Sequence, residues 1–210
     1  MRNILLADDH SIVRSGIKSM IRDKIGNFNI DEAENENDIV TAVKSCNYDL
    51  VILDINMGDY DFVKLMEWLS FTSSDTSILI FSMHPEAIYG LRCLQLGAKG
   101  YLHKTASDEE IVIAINTVLN GKKYINAALA EILSQSSEDK NTGNPFQSLS
   151  SREIEIALLL NSGKSLPEIC TILNIQYSTA NTYKRRIFEK LHVNSILSLS
   201  RLMQTYNIQE

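Results

Sequence analysis

The chain has 210 residues, 44% of them hydrophobic, which is enough for one large or two modest packed domains. Its net charge is −6, but residues 1–144 carry 13 basic and 21 acidic side chains, whereas residues 145–210 carry 7 and 5. No apolar run matches a membrane span or a signal peptide, and three widely spaced cysteines cannot form a disulfide framework. We expect a cytoplasmic protein with an acidic first part and a weakly basic, polyanion-binding second part.

Apolar segments of strand length alternate with helical patterns through residue 102. This alternation predicts βαβ units, a parallel sheet and right-handed crossovers, closed by a helix from about Asp108 to Gly121. Functional side chains of such sheets gather at the carboxyl ends of the strands. The predicted strands are "NILLA" (3–7), "FNIDEA" (28–33), "LVIL" (50–53), "SILIF" (77–81) and "KGYL" (99–102).

Carboxylates follow two of these strands: Asp8 and Asp9 the first, and Asp54 the third. Two carboxylates about 4 Å apart repel by roughly 4 kcal/mol at an effective dielectric constant near 20, so either one is protonated or a cation lies between them. A hard cation such as Mg²⁺ (or Mn²⁺) suits these oxygen ligands. The alternative is that Asp8 or Asp9 only caps a helix that begins near Ser11.

Ser82 and Lys104 follow the fourth and fifth strands. Each alone is typical of a strand-end hydroxyl or a solvated surface amine. Together with the acids they predict a site for a phosphoryl group, in which a metal and an ammonium neutralise the phosphoryl oxygens and the hydroxyl donates a hydrogen bond.

The segments "LLADDH", "LVILDINM", "LIFS" and "GAKGYLHK", in this order, make residues 1–122 resemble a response-regulator receiver domain. The resemblance implies a flavodoxin-like, doubly wound five-stranded parallel sheet of strand order 2-1-3-4-5. It also implies that Asp54 accepts a phosphoryl group from a sensor histidine kinase, with Lys104 stabilising the phosphate and Ser82 and Tyr101 acting as switch residues. The implied Mg²⁺ ligands are Asp8, Asp9, Asp54 and the backbone carbonyl of Asn56.

The loop after Asp54 departs from the family pattern. In "MGDYDF", Gly58 replaces the usual proline, and Phe62 replaces a glycine. The loop is therefore expected to be less restrained at residue 58 and more crowded at residue 62, which affects its shape and the rate of phosphorylation.

Residues 123–147 are expected to be a helix end and a flexible linker, because "SQSSEDKNTGNPFQ" (134–147) lacks periodicity. Residues 148–210 show four helical patterns and no strand. Capping boxes begin two of these helices, Ser150 with Glu153 and Ser165 with Glu168, and Asn194 is the expected cap of the last.

The helix after Gln176 has an apolar stripe, formed by Ala180, Tyr183, Ile187 and Leu191. The opposite side carries small polar residues and arginine, which suit the edges of bases in a DNA major groove. An ordinary helical bundle with a solvated basic face is the alternative. The helix order favours a helix-turn-helix, with this helix as the recognition helix.

Residues 149–193, which begin "LSSREIEI", resemble the LuxR/NarL/FixJ class of DNA-binding domains. The resemblance implies that the last helix pairs two such domains, and a helix that only completes the core is the alternative. Bases would be contacted by Asn181, Thr182 and Arg185, and phosphates by Thr179, Lys184 and Lys190.

The sequence thus predicts a phosphorylation-dependent transcription regulator that acts as a homodimer on double-stranded promoter DNA. It would be a stoichiometric phosphoryl acceptor and not an enzyme. A DNA-binding regulator that works independently of phosphorylation is one alternative. A flavodoxin-like enzyme that binds a nucleotide or a flavin is another, although no glycine-rich loop follows the first strand.

Overall fold

The computed structural model describes residues 2–58, 60–138, 144–206 and 208. The chain divides into two compact units, one formed by residues 1–86 and 90–130 and the other by residues 87–89 and 131–210. Within the described ranges, no helix is both long and apolar enough to cross a membrane.

The first unit is built on a five-stranded parallel sheet of order β2-β1-β3-β4-β5, which confirms the predicted order. β1, β3 and β4 are almost entirely buried, as expected for parallel strands covered on both faces. The strands are β1 (Asn3–Ala7), β2 (Asn29–Ala33), β3 (Leu50–Leu53), β4 (Ser77–Ser82) and β5 (Gly100–His103).

Helices alternate with these strands as predicted. One core cluster packs Ile17 of α1 and Ile115 of α5 against the sheet residues Leu6, Ile52 and Phe81. The helices are α1 (Ser11–Met20), which continues as a π-helical turn over Ile21–Ile25, α2 (Glu36–Ser45), α3 (Phe62–Thr72), α4 (Glu86–Gln95) and α5 (Asp108–Leu119).

The segment after α5 differs from the sequence-based expectation. Tyr124 makes a parallel bridge to Gly100 on β5, and its N–H donates to the Lys99 carbonyl at 2.8 Å. Helix α6 follows over Ala127–Glu138, so residues 134–138 are helical where a linker was predicted. The rest of that expected linker includes residues 139–143, which lie outside the described residues, and a 3₁₀ turn over Pro145–Ser148.

The second unit contains the four predicted helices, packed around buried Leu149, Ile169, Ile187 and Leu199. Both predicted capping boxes are present. The prediction of Asn194 as a cap is wrong, because the Ser195 hydroxyl accepts the hydrogen bond from the Ser198 N–H at 3.1 Å. These helices are α7 (Ser151–Asn161), α8 (Leu166–Leu173), α9 (Tyr177–Lys190) and α10 (Ile196–Thr205).

Candidate functional site

The acidic residues converge at the carboxyl edge of the sheet. β1 and β3 are neighbours with Ala7 opposite Leu53, so the residues that follow them, Asp8 and Asp54, meet at this edge. Asp8, Asp9, His10 and Asp54 each place one ligand atom within 4.8 Å of the others. Asp8 and Asp54 are buried, whereas Asp9 and His10 are exposed.

Lys104 pairs with the two buried acids. Its Nζ lies 2.6 Å from Asp8 Oδ2 and 2.7 Å from Asp54 Oδ2, and only 7% of its side chain is exposed. Its backbone N–H donates to the Ser82 carbonyl at 2.8 Å, which fixes where the side chain starts. The alternative of a solvated surface amine is therefore wrong.

The Asp54 carboxylate is buried, and its two oxygens differ in their hydrogen bonding within the described residues. Burial raises the pKa of Asp54, and the bond from Lys104 offsets this only in part. Within the described residues, Asp54 Oδ1 has no hydrogen-bond partner. A buried, unsatisfied carboxylate oxygen beside other carboxylates fits the oxygen-rich ligand set of a divalent cation.

The alternative that Asp8 or Asp9 only caps α1 is wrong, because the N-cap residue is His10, whose side chain makes no capping hydrogen bond. Asp8 Oδ1 instead accepts the His10 N–H at 2.9 Å, and His10 Nδ1 lies 2.6 Å from Asp9 Oδ1. Sequence reasoning did not assign His10 to the site. Asn56 lies in the loop between Asp54 and α3.

Arg14 supports the pocket and was also missed. Its guanidinium, only 5% exposed, donates to the Asp8 carbonyl at 2.6 Å and to Glu32 Oε2 at 2.9 Å, and it pairs with Glu34 as well. Arg14 shares the buried stripe of its helix with Ile17, three residues on. An arginine on an apolar stripe is the sequence signal that could have identified it.

The two predicted switch residues lie on the neighbouring strands. Ser82 is buried, and its Oγ accepts the His84 N–H at 3.3 Å. Tyr101 is fully buried, and its hydroxyl donates to the His84 carbonyl at 2.7 Å. His103 Nε2 lies 2.9 Å from the Met83 carbonyl oxygen. Side chains of β5 therefore hold the loop that carries on from Ser82.

The loop "MGDYDF" has its own restraints. Gly58 has a φ of +83°, a conformation that favours glycine, and Phe62 is buried at the start of α3. The Tyr60 hydroxyl donates to the Asp54 carbonyl at 2.8 Å, and burial raises the pKa of Tyr60, so this hydroxyl stays a neutral donor.

Helix α9 of the second unit presents most of the predicted DNA-contacting residues. Ala180, Ile187 and Leu191 are buried and Tyr183 is half-buried, as the stripe predicts. Among the predicted contacts, Thr179, Asn181 and Arg185 are exposed, and Thr182 and Lys184 are half-buried. The Thr182 hydroxyl donates to the Ser178 carbonyl at 2.8 Å, and Lys184 Nζ lies 5.5 Å from the centre of the Phe188 ring.

Lys190 has a partner inside its own unit. Its Nζ lies 2.6 Å from Oε2 of buried Glu153, the same oxygen that accepts the Ser150 N–H at 2.7 Å. The ion pair joins the end of α9 to the start of α7. The residue predicted to contact phosphate thus makes a structural contact here, while 40% of its side chain stays exposed.

A receiver-type sheet with an acidic pocket and a lysine, together with a helix-turn-helix unit, defines a response regulator. Residues 4–116 match the family described as "Response regulator receiver domain", and residues 147–203 match "Bacterial regulatory proteins, luxR family". The chain belongs to the response regulators that join a receiver domain to a LuxR-type DNA-binding domain.

A curated relative agrees with this assignment, and solved structures share the fold. Response regulator UvrY of Escherichia coli (strain K12) is 34% identical over 203 residues, which cover 96% of this chain and 93% of the relative. A structure of RcsB from Salmonella enterica serovar Typhimurium, bound to a promoter in the presence of the phosphomimetic BeF₃⁻, has a TM-score of 0.59 at 24% identity, covering 96% of this chain and 97% of the other. A structure of two RcsB dimers on two parallel DNAs has a TM-score of 0.60 at 23% identity, covering 97% and 98%.

Proposed function

We propose that Asp54 accepts a phosphoryl group from a phosphohistidine of a sensor histidine kinase, and that this raises the affinity of the chain for promoter DNA. The observation that carries the proposal is the buried Asp54 carboxylate, paired through one oxygen with Lys104 and unpartnered, within the described residues, at the other.

The proposed chemistry is a phosphoryl transfer. An Asp54 oxygen attacks phosphorus, the phosphorus–nitrogen bond breaks, and the imidazole leaves with the bonding electrons and takes up a proton. Lys104 neutralises charge on the phosphoryl oxygens, and Ser82 donates its hydroxyl to one of them. The chain acts stoichiometrically and turns over no separate substrate.

Asp8, Asp9, Asp54 and the carbonyl of Asn56 are the residues that would hold Mg²⁺ or Mn²⁺. When bound, this cation supplies positive charge to the transferring group and relieves repulsion among the acids. The support is the mutual closeness of the carboxylates and the unsatisfied Asp54 Oδ1.

On the DNA side, the exposed polar face of α9 would enter the major groove. The active form is proposed to be a homodimer, because α10 leaves Ile196 and Leu197 exposed at 40% and 63%. An apolar surface of this kind on a small domain suits a second copy of the chain.

The test is intact mass after incubation with acetyl phosphate and Mg²⁺, for the wild type and for Asp54→Ala. We expect a metal-dependent gain of one phosphoryl group in the wild type and no gain in the variant. Affinity for a genomic DNA site, measured at one stated salt concentration, is then compared before and after labelling. Equal DNA affinity before and after labelling would contradict the proposal that phosphorylation controls DNA binding.

A second candidate function is DNA binding independent of phosphorylation. The altered loop after Asp54 favours it, because Gly58 and Phe62 stand where related receivers usually have a proline and a glycine, and Phe62 is buried at the start of α3. This candidate predicts that Asp54→Ala binds the DNA site as tightly as the labelled wild type.

A further inference from the structure

The loop after the proposed acceptor is closed by a hydrogen bond within itself. Tyr60 reaches back from the end of the loop, and its hydroxyl donates to the backbone carbonyl of Asp54 at 2.8 Å. Asn56, whose carbonyl is a proposed metal ligand, lies inside the closed segment. The bond therefore ties together both ends of the chain segment that supplies Asp54 and Asn56.

Other residues fix the shape of the same loop. Ile55 and Met57 are buried, Gly58 turns the backbone with its positive φ, and the Asp61 side chain caps α3 by accepting the Lys64 N–H at 3.3 Å. These contacts anchor the loop through side chains that point into the core and through the start of the helix. Unlike these three contacts, the Tyr60 hydroxyl bond reaches the backbone of the acceptor residue itself.

We propose that Tyr60 is a positioning residue for the phosphorylation site, which holds the Asp54 carbonyl and, through it, the Asp54 carboxylate and the Asn56 carbonyl in place. This inference rests on the proposed function for its effect on phosphoryl transfer. Glycine at residue 58 leaves the backbone freer than proline does, and the tyrosine bond replaces that lost restraint.

Hydrogen bonds to the residues that supply metal ligands matter for metal binding, because they set the direction in which the ligand oxygens point. Their loss commonly costs about 10-fold or more in metal affinity. Tyr60→Phe keeps the ring and removes only the donor, so the packing of the ring is preserved.

Tyr48→Phe is the matched control. The Tyr48 hydroxyl donates to Asp31 Oδ2 at 2.7 Å, and Tyr48 lies before the amino end of β3, at the opposite end of that strand from Asp54. Each variant therefore removes one tyrosine hydrogen bond from the same domain, and only one of the two bonds touches the acceptor.

The experiment titrates the wild type and both full-length variants with MgCl₂ by calorimetry, well below their thermal midpoints, and measures the labelling rate with acetyl phosphate. We expect Tyr60→Phe to lower the Mg²⁺ affinity by about 10-fold and to slow labelling. Amide hydrogen exchange over residues 55–58 should become faster. Tyr48→Phe should leave all three unchanged.

The outcomes separate the two proposals. Tyr60→Phe with wild-type Mg²⁺ affinity and loop exchange overturns the positioning role, and so does an equal change in Tyr48→Phe. If Mg²⁺ affinity falls only in Tyr60→Phe but acetyl phosphate labels neither the wild type nor the variants, the positioning role stands and the proposed phosphorylation fails. A wild type that binds no Mg²⁺ overturns both proposals.

Discussion

The acidic pocket and the surface of α9 use charge in opposite ways. In the pocket, Lys104 is nearly buried and bridges two buried carboxylates, whereas Arg185 on α9 is 71% exposed and has only a 3.9 Å contact to Glu189. A group that takes part in transfer chemistry gains from a low dielectric and fixed partners. A group that binds DNA must be able to exchange water and counterions for a phosphate or a base. The free energy of unfolding should therefore depend on the charges of the acidic pocket, and the affinity for DNA on the charges of α9.

The largest expected effect comes from the buried pair of the pocket. Lys104→Met leaves Asp8 and Asp54 facing each other without a cation, so the free energy of unfolding in chelator should fall by about 3 kcal/mol. Because a divalent cation can replace the lost charge, Mg²⁺ should restore part of this loss. Urea denaturation with and without Mg²⁺ measures both effects.

Lys24→Met is the control for this variant, since Lys24 pairs with Asp108 at 3.0 Å on the surface. Exposed pairs contribute little to stability, so its urea midpoint should stay close to that of the wild type. Equal losses in the two variants would contradict the contrast between buried and exposed charges.

On α9, the largest effect should be on base selectivity. Arg185→Ala should lower discrimination at one base pair by about 1–3 kcal/mol and leave the free energy of unfolding unchanged, because the side chain is exposed. Competition binding against a set of single-base variants of the DNA site measures this. Arg201 is an exposed arginine on α10, and Arg201→Ala is the control. It should leave the discrimination between bases unchanged at every base pair. A uniform loss across all sites in Arg185→Ala would place this residue on phosphates instead.

Lys190 and Lys184 test which lysines of α9 stabilise the fold and which contact DNA phosphates. Lys190→Met leaves buried Glu153 without its ammonium, and because Lys190 is partly exposed the loss of stability should be about 1–2 kcal/mol. Lys184→Met should leave the free energy of unfolding unchanged and make the negative slope of log K against log salt shallower by about 1. The sequence-based assignment of Lys190 to phosphate predicts the same change in slope for both variants, and the measurement decides between them.

The smallest expected effect is on pH dependence. The bonds from Lys190 and from the Ser150 N–H lower the pKa of Glu153 despite its burial. A lowered carboxyl pKa contributes stability above the pKa of the unfolded chain, and this contribution is lost as pH falls through the folded value. Thermal midpoints between pH 6 and pH 3 should therefore fall less steeply in Glu153→Gln than in the wild type, from a lower starting value. Parallel curves would show that the Glu153 carboxylate contributes nothing of this kind.

Helix α6, which follows α5, extends further than the local sequence pattern predicts. Asn126 Oδ1 accepts the Leu129 N–H at 2.9 Å, and its Nδ2 donates to Glu86 on α4 at 2.8 Å. A Cβ on Gly90 would lie 2.7 Å from Leu129 Cδ1, so the absence of a side chain lets α6 approach α4 closely. Contacts of this kind support a helix whose later residues, polar and aperiodic, predict a linker.

The strand order was implied by the resemblance to receiver domains and confirmed by the structure. By itself, the sequence determined the parallel strands, the edge where the acids meet and the inner stripe of α9. Those features follow from local periodicity and from the rule that parallel strands end at one edge, so Asp8, Asp54 and Lys104 could be found without coordinates. Only the tertiary structure decided the partners of Arg14, Tyr60 and Lys190. Each of these long side chains can reach several acceptors, and the one it meets depends on how separate elements pack.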